Sequence, residues 1–187
     1  MKAKLILAFI SLVVSLNAFS QWGIKGGINT GYAVGESGIG NKLHIGGFLD
    51  ATYDVKIYRN LYFQPAAGFY LHSTGSFSED GYMRVFGAEL PLNLSFRPSI
   101  AEDIGLFLDF GIIGRLSLAG AASDKSYFED NNMFNTLKRV DIAYNLGLGI
   151  QIEKKYMIGL AYQSQQFNKY AYYHGLQSYN ITFGYKF

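Results

Sequence analysis

Eight stretches of the chain alternate between apolar side chains and small or polar ones. In the last stretch, residues 178–187, aromatic or aliphatic residues occupy every odd position, while Ser, Asn, Thr, Gly and Lys occupy the even ones. Successive side chains of a β-strand point to opposite faces, so a period of two predicts a strand with one apolar face. The same pattern predicts seven further strands, at residues 22–32, 43–55, 61–72, 82–96, 104–118, 140–152 and 156–167.

The second face of each predicted strand is small or polar. An apolar outside around a polar inside is the arrangement of a membrane-spanning barrel. The connections after strands two, four and six are short, and those after the odd-numbered strands are longer or more polar, as in outer-membrane barrels with short periplasmic turns and long outer loops. We therefore predict an all-β fold, a transmembrane antiparallel up-and-down β-barrel of eight strands, with both termini on the periplasmic side.

The first twenty residues have the pattern of a secretory signal. Lys2 and Lys4 precede an apolar run at residues 5–16, and Ala18 and Ser20 form a small-x-small cleavage site. The apolar run is too short for a transmembrane helix. We expect residues 1–20 to be a signal peptide and residues 21–187 to form an outer-membrane β-barrel domain, located in the cell outer membrane of a Gram-negative bacterium.

Composition narrows the range of functions. The chain has no Cys, which excludes disulfides and thiolate metal sites. Its formal net charge is +2 and its Lys and Arg residues are scattered, so the sequence gives no basis for a nucleic-acid partner. The three His residues lack the spacing of a metal site, and no motif indicates a cofactor.

Six charged residues fall on the inward face of the predicted strands. Buried charges need partners, so two ion pairs are expected between neighbouring strands, Lys25–Asp50 and Arg115–Asp141. The other two acids, Glu89 and Asp109, lie on adjacent strands, and the pKa of one would be raised unless Lys25 or Arg115 reaches them. Side chains can fill an eight-stranded barrel, which favours a plugged interior over the alternative, a proton or ion path. The predicted interior charge network is Lys25, Asp50, Glu89, Asp109, Arg115 and Asp141.

Two His–Ser pairs invite comparison with the outer-membrane lipid A deacylases. In such a site an acid orients the imidazole, on the lipid-facing side of the barrel. No acid lies near His72 and Ser73, or near His174 and Ser178, and the spacing departs from the His-x-Ser motif of that family. We therefore predict no catalytic residue.

The predicted outer loops carry many aromatic residues. Exposed aromatic side chains in loops can anchor a partner, or they can fold back as a cap on the barrel. Both interpretations stay open. The candidate contact residues are Tyr127, Phe128, Phe134, Tyr170, Tyr172 and Tyr173.

Three features of the sequence resemble a known group. They are QWGIKGGIN at residues 21–29, after a signal that ends in Ala-Phe-Ser, then FGAELPLNL at residues 86–94, and the terminal Phe187. The whole mature chain resembles the PorT-like outer-membrane barrel family, and its architecture is similar to that of small OmpA/OmpX-type barrels. The resemblance implies the fold and the location. The aromatic end of the last strand is similar to the signal that the barrel-assembly machinery recognises, and that role falls on Tyr185 and Phe187.

The leading hypothesis is a non-enzymatic outer-membrane barrel with a structural or surface-interaction role. Its expected partners are outer-membrane lipid and lipopolysaccharide, the barrel-assembly machinery, and a protein or glycan at the outer loops. The alternatives are a narrow channel for small solutes and, third, a lipid-modifying enzyme.

Overall fold

The chain forms a closed eight-stranded antiparallel barrel in which each strand pairs with its neighbours in sequence and β1 pairs with β8. The structure is a computed structural model that describes residues 20–35, 42–75, 82–122, 139–165 and 173–187. The strands are β1 (Ser20–Gly35), β2 (Lys42–Tyr58), β3 (Leu61–Gly75), β4 (Tyr82–Phe96), β5 (Ile104–Ala122), β6 (Val140–Ile152), β7 (Tyr156–Gln165) and β8 (Tyr173–Lys186). The predicted fold class is confirmed.

The predicted strand bounds agree fully with the structure in two strands. β4 and β6 begin and end at the predicted residues. β2 continues to Tyr58, so only Arg59 and Asn60 form the turn before β3, and Arg59 has a positive φ of 40°. β5 and β8 extend four and five residues beyond the predicted bounds, through AGAA at residues 119–122 and YHGLQ at residues 173–177. Those extensions lack the alternation, which is why the pattern missed them.

Some predictions fall outside the described residues. The predicted signal peptide does so except for Ser20, which is the first residue of β1. Tyr127, Phe128, Phe134, Tyr170 and Tyr172 also lie outside them. Tyr173, predicted in a loop, is instead the first residue of β8.

The two ends of the barrel differ. We call the end with Ser20, Phe187 and the short connections 59–60, 97–103 and 153–155 the turn end. The opposite end, where residues 36–41, 76–81, 123–139 and 166–172 connect the strands, is the loop end. At the turn end the backbone N–H of Phe187 donates to the carbonyl of Trp22 over 2.9 Å, so the last residue is held against the first strand.

Apolar side chains form a belt around the outside of the barrel. Leu146 and Leu148 on β6 are 55% and 57% exposed, and the outward positions of the other strands are similar. Aromatic rings form one row of contacts toward the turn end, Trp22–Tyr53 and Tyr156–Tyr185, and another farther along the barrel, Phe69–Phe86 and Tyr162–Tyr179. Rows of aromatic rings at two heights are typical of barrels that cross a lipid bilayer, where they lie at its two interfaces. The described residues include no helix that is both long and apolar enough to cross a membrane.

The interior is packed with side chains, and glycines give the largest of them room. Phe107 and Tyr70 are each 1% exposed. A Cβ built on Gly159 would lie 2.5 Å from the Phe107 ring, and one built on Gly87 would lie 2.5 Å from the Tyr70 ring. Because no real Cβ approaches so closely, these glycines let the aromatic rings cross the lumen.

Two prolines interrupt the pairing of β3 with β4. The β3–β4 pairs pass from Pro65–Leu92 directly to Gly68–Glu89, and the described residues between them form no bridge from β3 to β4. Pro65 and Pro91 have no backbone N–H to donate to the ladder. The interruption lies in the wall of the cavity described below.

Candidate functional site

Arg115 is the centre of the interior network. It is 2% exposed, and its Nε donates to Glu89 Oε2 over 2.9 Å in an ion pair that is buried on both sides. Its Nη1 and Nη2 donate to the side-chain oxygens of Gln165 and Gln163 over 2.6 and 2.8 Å. The Tyr70 ring lies 5.0 Å from the guanidinium carbon. The guanidinium thus ties β5 to β3, β4 and β7.

A second buried ion pair crosses the lumen from β1 to β5. Lys25 Nζ lies 2.8 Å from Asp109 Oδ2, and Asp109 is completely buried. The other carboxylate oxygen of Asp109 accepts a hydrogen bond from Ser95 over 2.6 Å, and Ser95 Oγ in turn accepts one from Arg97 Nε over 2.8 Å. Asp109 therefore has donors from two strands, Lys25 on β1 and Ser95 on β4, which compensate for the removal of its charge from water.

A third cluster closes the turn end. Asp54 forms ion pairs with both Arg97 and Lys186, and all three side chains are buried. Gln64 Nε2 also donates to Asp54 Oδ1, over 2.6 Å. The Tyr62 ring lies 4.7 Å from the guanidinium carbon of Arg97. We call this group the turn-end cluster.

Asp54 and Lys186 fall within predicted strands, but Arg97 lies one residue beyond the predicted fourth strand, 82–96, and the sequence analysis missed it. The alternation contained the signal, because Arg97 directly follows the outward-facing Phe96 and so continues the inward face of β4. The residue that follows a strand can therefore still point into the barrel.

The predicted ion pairs are wrong in their partners. In the register Lys25 lies opposite Asp50, as expected, yet the Lys25 ammonium pairs with Asp109. Arg115 likewise lies opposite Asp141 and pairs instead with Glu89 on the other neighbouring strand. Both cations have long side chains that reach completely buried or nearly buried acids, whose charges gain most from a partner.

The difference in burial between Asp141 and Glu89 explains why Arg115 pairs with Glu89. Asp141 is half-buried near the loop end, and its Oδ1 accepts a hydrogen bond from the backbone N–H of Ile142 over 2.7 Å. Glu89 is only 2% exposed. A cation on Glu89 offsets a larger loss of hydration than a cation on Asp141 would, so Arg115 turns inward.

A small polar cavity lies beside Asp50, between the Arg115 site and the turn-end cluster. Its volume is about 20 Å³, measured as the space open to the centre of a water-sized sphere. A single water needs about 10–15 Å³ on that measure. Asp50 Oδ1 and Gln64 Oε1 are buried without a hydrogen-bond partner within the described chain, and both side chains line the cavity. The cavity therefore suits one water and is too small for a larger solute.

The structure also bears on two other kinds of site, a His–Ser pair and a metal site. His72 is 1% exposed, and its ring packs 4.9 Å from the Tyr70 ring inside the barrel. His72 and Ser73 therefore do not form a lipid-facing pair. Among the residues that the structure describes, no group of three His, Cys, Asp or Glu side chains could hold a metal ion.

The closed topology, the apolar belt and the charged interior define a transmembrane β-barrel of the outer-membrane class. The structure is similar to Ail, the attachment invasion locus protein of Yersinia pestis, with a TM-score of 0.50 and 12% identity over 90% of this chain and 99% of that one. It is similar to Ail in complex with the heparin analogue sucrose octasulfate, with a TM-score of 0.52 and 13% identity over the same shares of the two chains.

A third similar structure is Neisserial surface protein A, NspA, with a TM-score of 0.51 and 12% identity over 88% of this chain and 95% of that one. No family model matches the sequence, and the search of curated proteins finds no match. At these identities the likeness establishes the fold alone. The PorT-like family remains a prediction.

Proposed function

We propose that this protein is a non-enzymatic outer-membrane barrel that binds an uncharged glycan or a protein through the connections at its loop end. The observation that carries the proposal is the contrast between the two ends. The loop-end connections contain seven aromatic residues, and the turn-end connections contain none. The aromatic residues are Phe77, Tyr127, Phe128, Phe134, Phe167, Tyr170 and Tyr172.

Two further points support a binding role at that end. The described interior is filled by ion pairs and hydrogen bonds, which leaves recognition to the surface. Aromatic rings contribute large contact areas at little cost in conformational entropy, and they are common anchors of interfaces. These points favour a surface function over the channel.

The charge of the loop-end connections favours an uncharged ligand. They contain six acidic and four basic residues. A sulfated polysaccharide would meet a surface with an excess of negative charge, and like charges disfavour association. We therefore expect a different preference from that suggested by the sucrose octasulfate in the Ail complex.

The proposal includes the location and the orientation. The turn end, with both termini, would face the periplasm, and the loop end would face the outside, as short turns and long connections are arranged in outer-membrane barrels. Outer-membrane lipid and lipopolysaccharide would cover the apolar belt. We also propose that Tyr185 and Phe187 act as the signal for the barrel-assembly machinery. Phe187 is 71% exposed, and its ring lies 5.4 Å from that of Tyr185.

The test is binding of the folded barrel in lipid nanodiscs to an array of neutral and sulfated oligosaccharides. We expect binding to neutral glycans over sulfated ones, and a loss of at least about tenfold when Tyr127, Phe128, Tyr170 and Tyr172 are all replaced by serine, since hot-spot aromatics contribute on the order of 2 kcal/mol each. The control is Tyr58→Ser, an exposed tyrosine at the turn end. Unchanged binding by the fourfold variant, or a preference for sulfated glycans, would contradict the proposal.

A further inference from the structure

Asp50 is the one buried acid of the described interior network without an ion-pair partner. It is 4% exposed. Glu89 has Arg115, Asp109 has Lys25, and Asp54 has two cations. Asp50 Oδ1 has no hydrogen-bond partner, and this oxygen belongs to a side chain in the wall of the cavity. An isolated buried carboxylate is far too unfavourable to persist without compensation, so something must replace the missing cation.

A second acid shares the cavity with Asp50. Asp50 on β2 and Glu89 on β4 both lie opposite Gly68 of the intervening strand β3, and both line the cavity. A Cβ built on Gly68 would collide with Asp50 Oδ1, so the Asp50 carboxyl lies over the glycine that separates the two acids. Two buried carboxylates in the wall of one small cavity repel each other strongly, and a carboxyl group donates a hydrogen bond to a neighbouring carboxylate only when it carries a proton.

The charged groups around Asp50 fit a single shared proton. Lys25 faces it from β1, Glu89 from β4 and Arg115 from β5, while Gln64 on β3 is uncharged. The cavity residues on β6, β7 and β8 are uncharged as well, with Asn145, Gln163 and Thr182 among them. Lys25 and Arg115 are already engaged by Asp109 and Glu89, so the two acids together lack one positive charge.

We propose that Asp50 and Glu89 bind one proton between them at neutral pH and that Lys25 is the cation that replaces this proton when it is lost. The proton leaves through a water in the cavity, and Asp50 becomes a carboxylate. Lys25 lies directly opposite Asp50 in the register of β1 and β2, and its side chain also lines the cavity. The Lys25 ammonium can therefore turn from Asp109 to Asp50 with no change in the backbone.

The consequence is a pH-dependent rearrangement inside the barrel. In the protonated state Lys25 links β1 to β5 across the lumen. In the deprotonated state it would link β1 to the adjacent β2, and Asp109 would keep only its hydrogen bond from Ser95. As pH rises, the ion pair across the lumen would thus be replaced by an ion pair between two adjacent strands.

The experiment is infrared spectroscopy of the folded barrel in lipid vesicles, in H₂O and in D₂O. We expect a protonated-carboxyl band at neutral pH that shifts in D₂O, with the intensity of one carboxyl group. The band should shift when aspartate or glutamate carries a ¹³C-labelled carboxyl group, which requires no substitution. It should disappear as the pH is raised. Absence of the band from the wild-type protein at neutral pH would overturn the proposal.

Three variants assign the band. Asp50→Asn preserves the shape of the side chain and is expected to abolish the band, and Asp141→Asn, at the half-buried acid near the loop end, is the control that keeps it. Asp109→Asn removes the acid that holds Lys25, so Lys25 should turn to Asp50 and the band should weaken or vanish at neutral pH. A band that survives in Asp50→Asn would overturn the assignment, and one unchanged in Asp109→Asn would overturn the role of Lys25.

Discussion

Replacement of Arg115 by methionine is expected to lower the free energy of unfolding by about 3–5 kcal/mol. The substitution leaves Glu89 charged and buried without its cation. It also removes the donors that satisfy Gln163 and Gln165. The measurement is urea unfolding of the barrel in lipid vesicles.

The matched control is Arg84→Met. Arg84 lies on the neighbouring strand β4 near the loop end and is exposed, so the same substitution should change the free energy of unfolding by no more than about 0.5 kcal/mol. The double variant with Glu89→Gln should lose less than the sum of the two single losses, by roughly 0.5–3 kcal/mol. Strict additivity would show that the ion pair contributes no coupling and would contradict the structure at this site.

Replacement of Asp54 by alanine should have an effect of similar size at the other end of the interior. Asp54 is the shared anion of Arg97 and Lys186, and both cations are buried. Without Asp54 the two positive charges would face each other across the turn-end cluster, and we expect a loss of about 3–5 kcal/mol in the same unfolding measurement. A second substitution, Lys186→Met, should recover part of that loss because it removes the repulsion.

Asp103→Ala is the control for this prediction. Asp103 lies at the same end of the barrel in the connection 97–103, and its side chain is exposed. Its loss should change the free energy of unfolding by no more than about 0.5 kcal/mol. Equal losses for Asp54→Ala and Asp103→Ala would mean that water screens the turn-end cluster and that it does not close the barrel.

Alternation along the chain was sufficient to predict the eight strands and the side of the barrel to which each side chain points. A barrel wall has only two faces, so every second residue shares one environment, and β6 shows the pattern without a break. Because consecutive strands pair as hairpins, sequence order also gave the neighbours of each strand, including Lys25 opposite Asp50.

The partners of the interior charges were not predictable in the same way. Register brings the Cα atoms of Lys25 and Asp50 together, but the ammonium group sits at the end of a flexible side chain that can reach Asp109 across the lumen. The choice among several acids depends on how deeply each is buried and on which other donors it has, such as Ser95 for Asp109. Neither quantity is encoded in the alternation of a single strand.

If this network closes the barrel interior, function lies at the loop-end surface. The most direct test is ionic conductance of the purified, folded protein in a planar lipid bilayer, with a porin in the same bilayer as the positive control. We expect insertion with no stable conductance above that of the bare bilayer. Reproducible open-channel currents from the wild-type protein would contradict the closed interior and would favour the narrow channel instead.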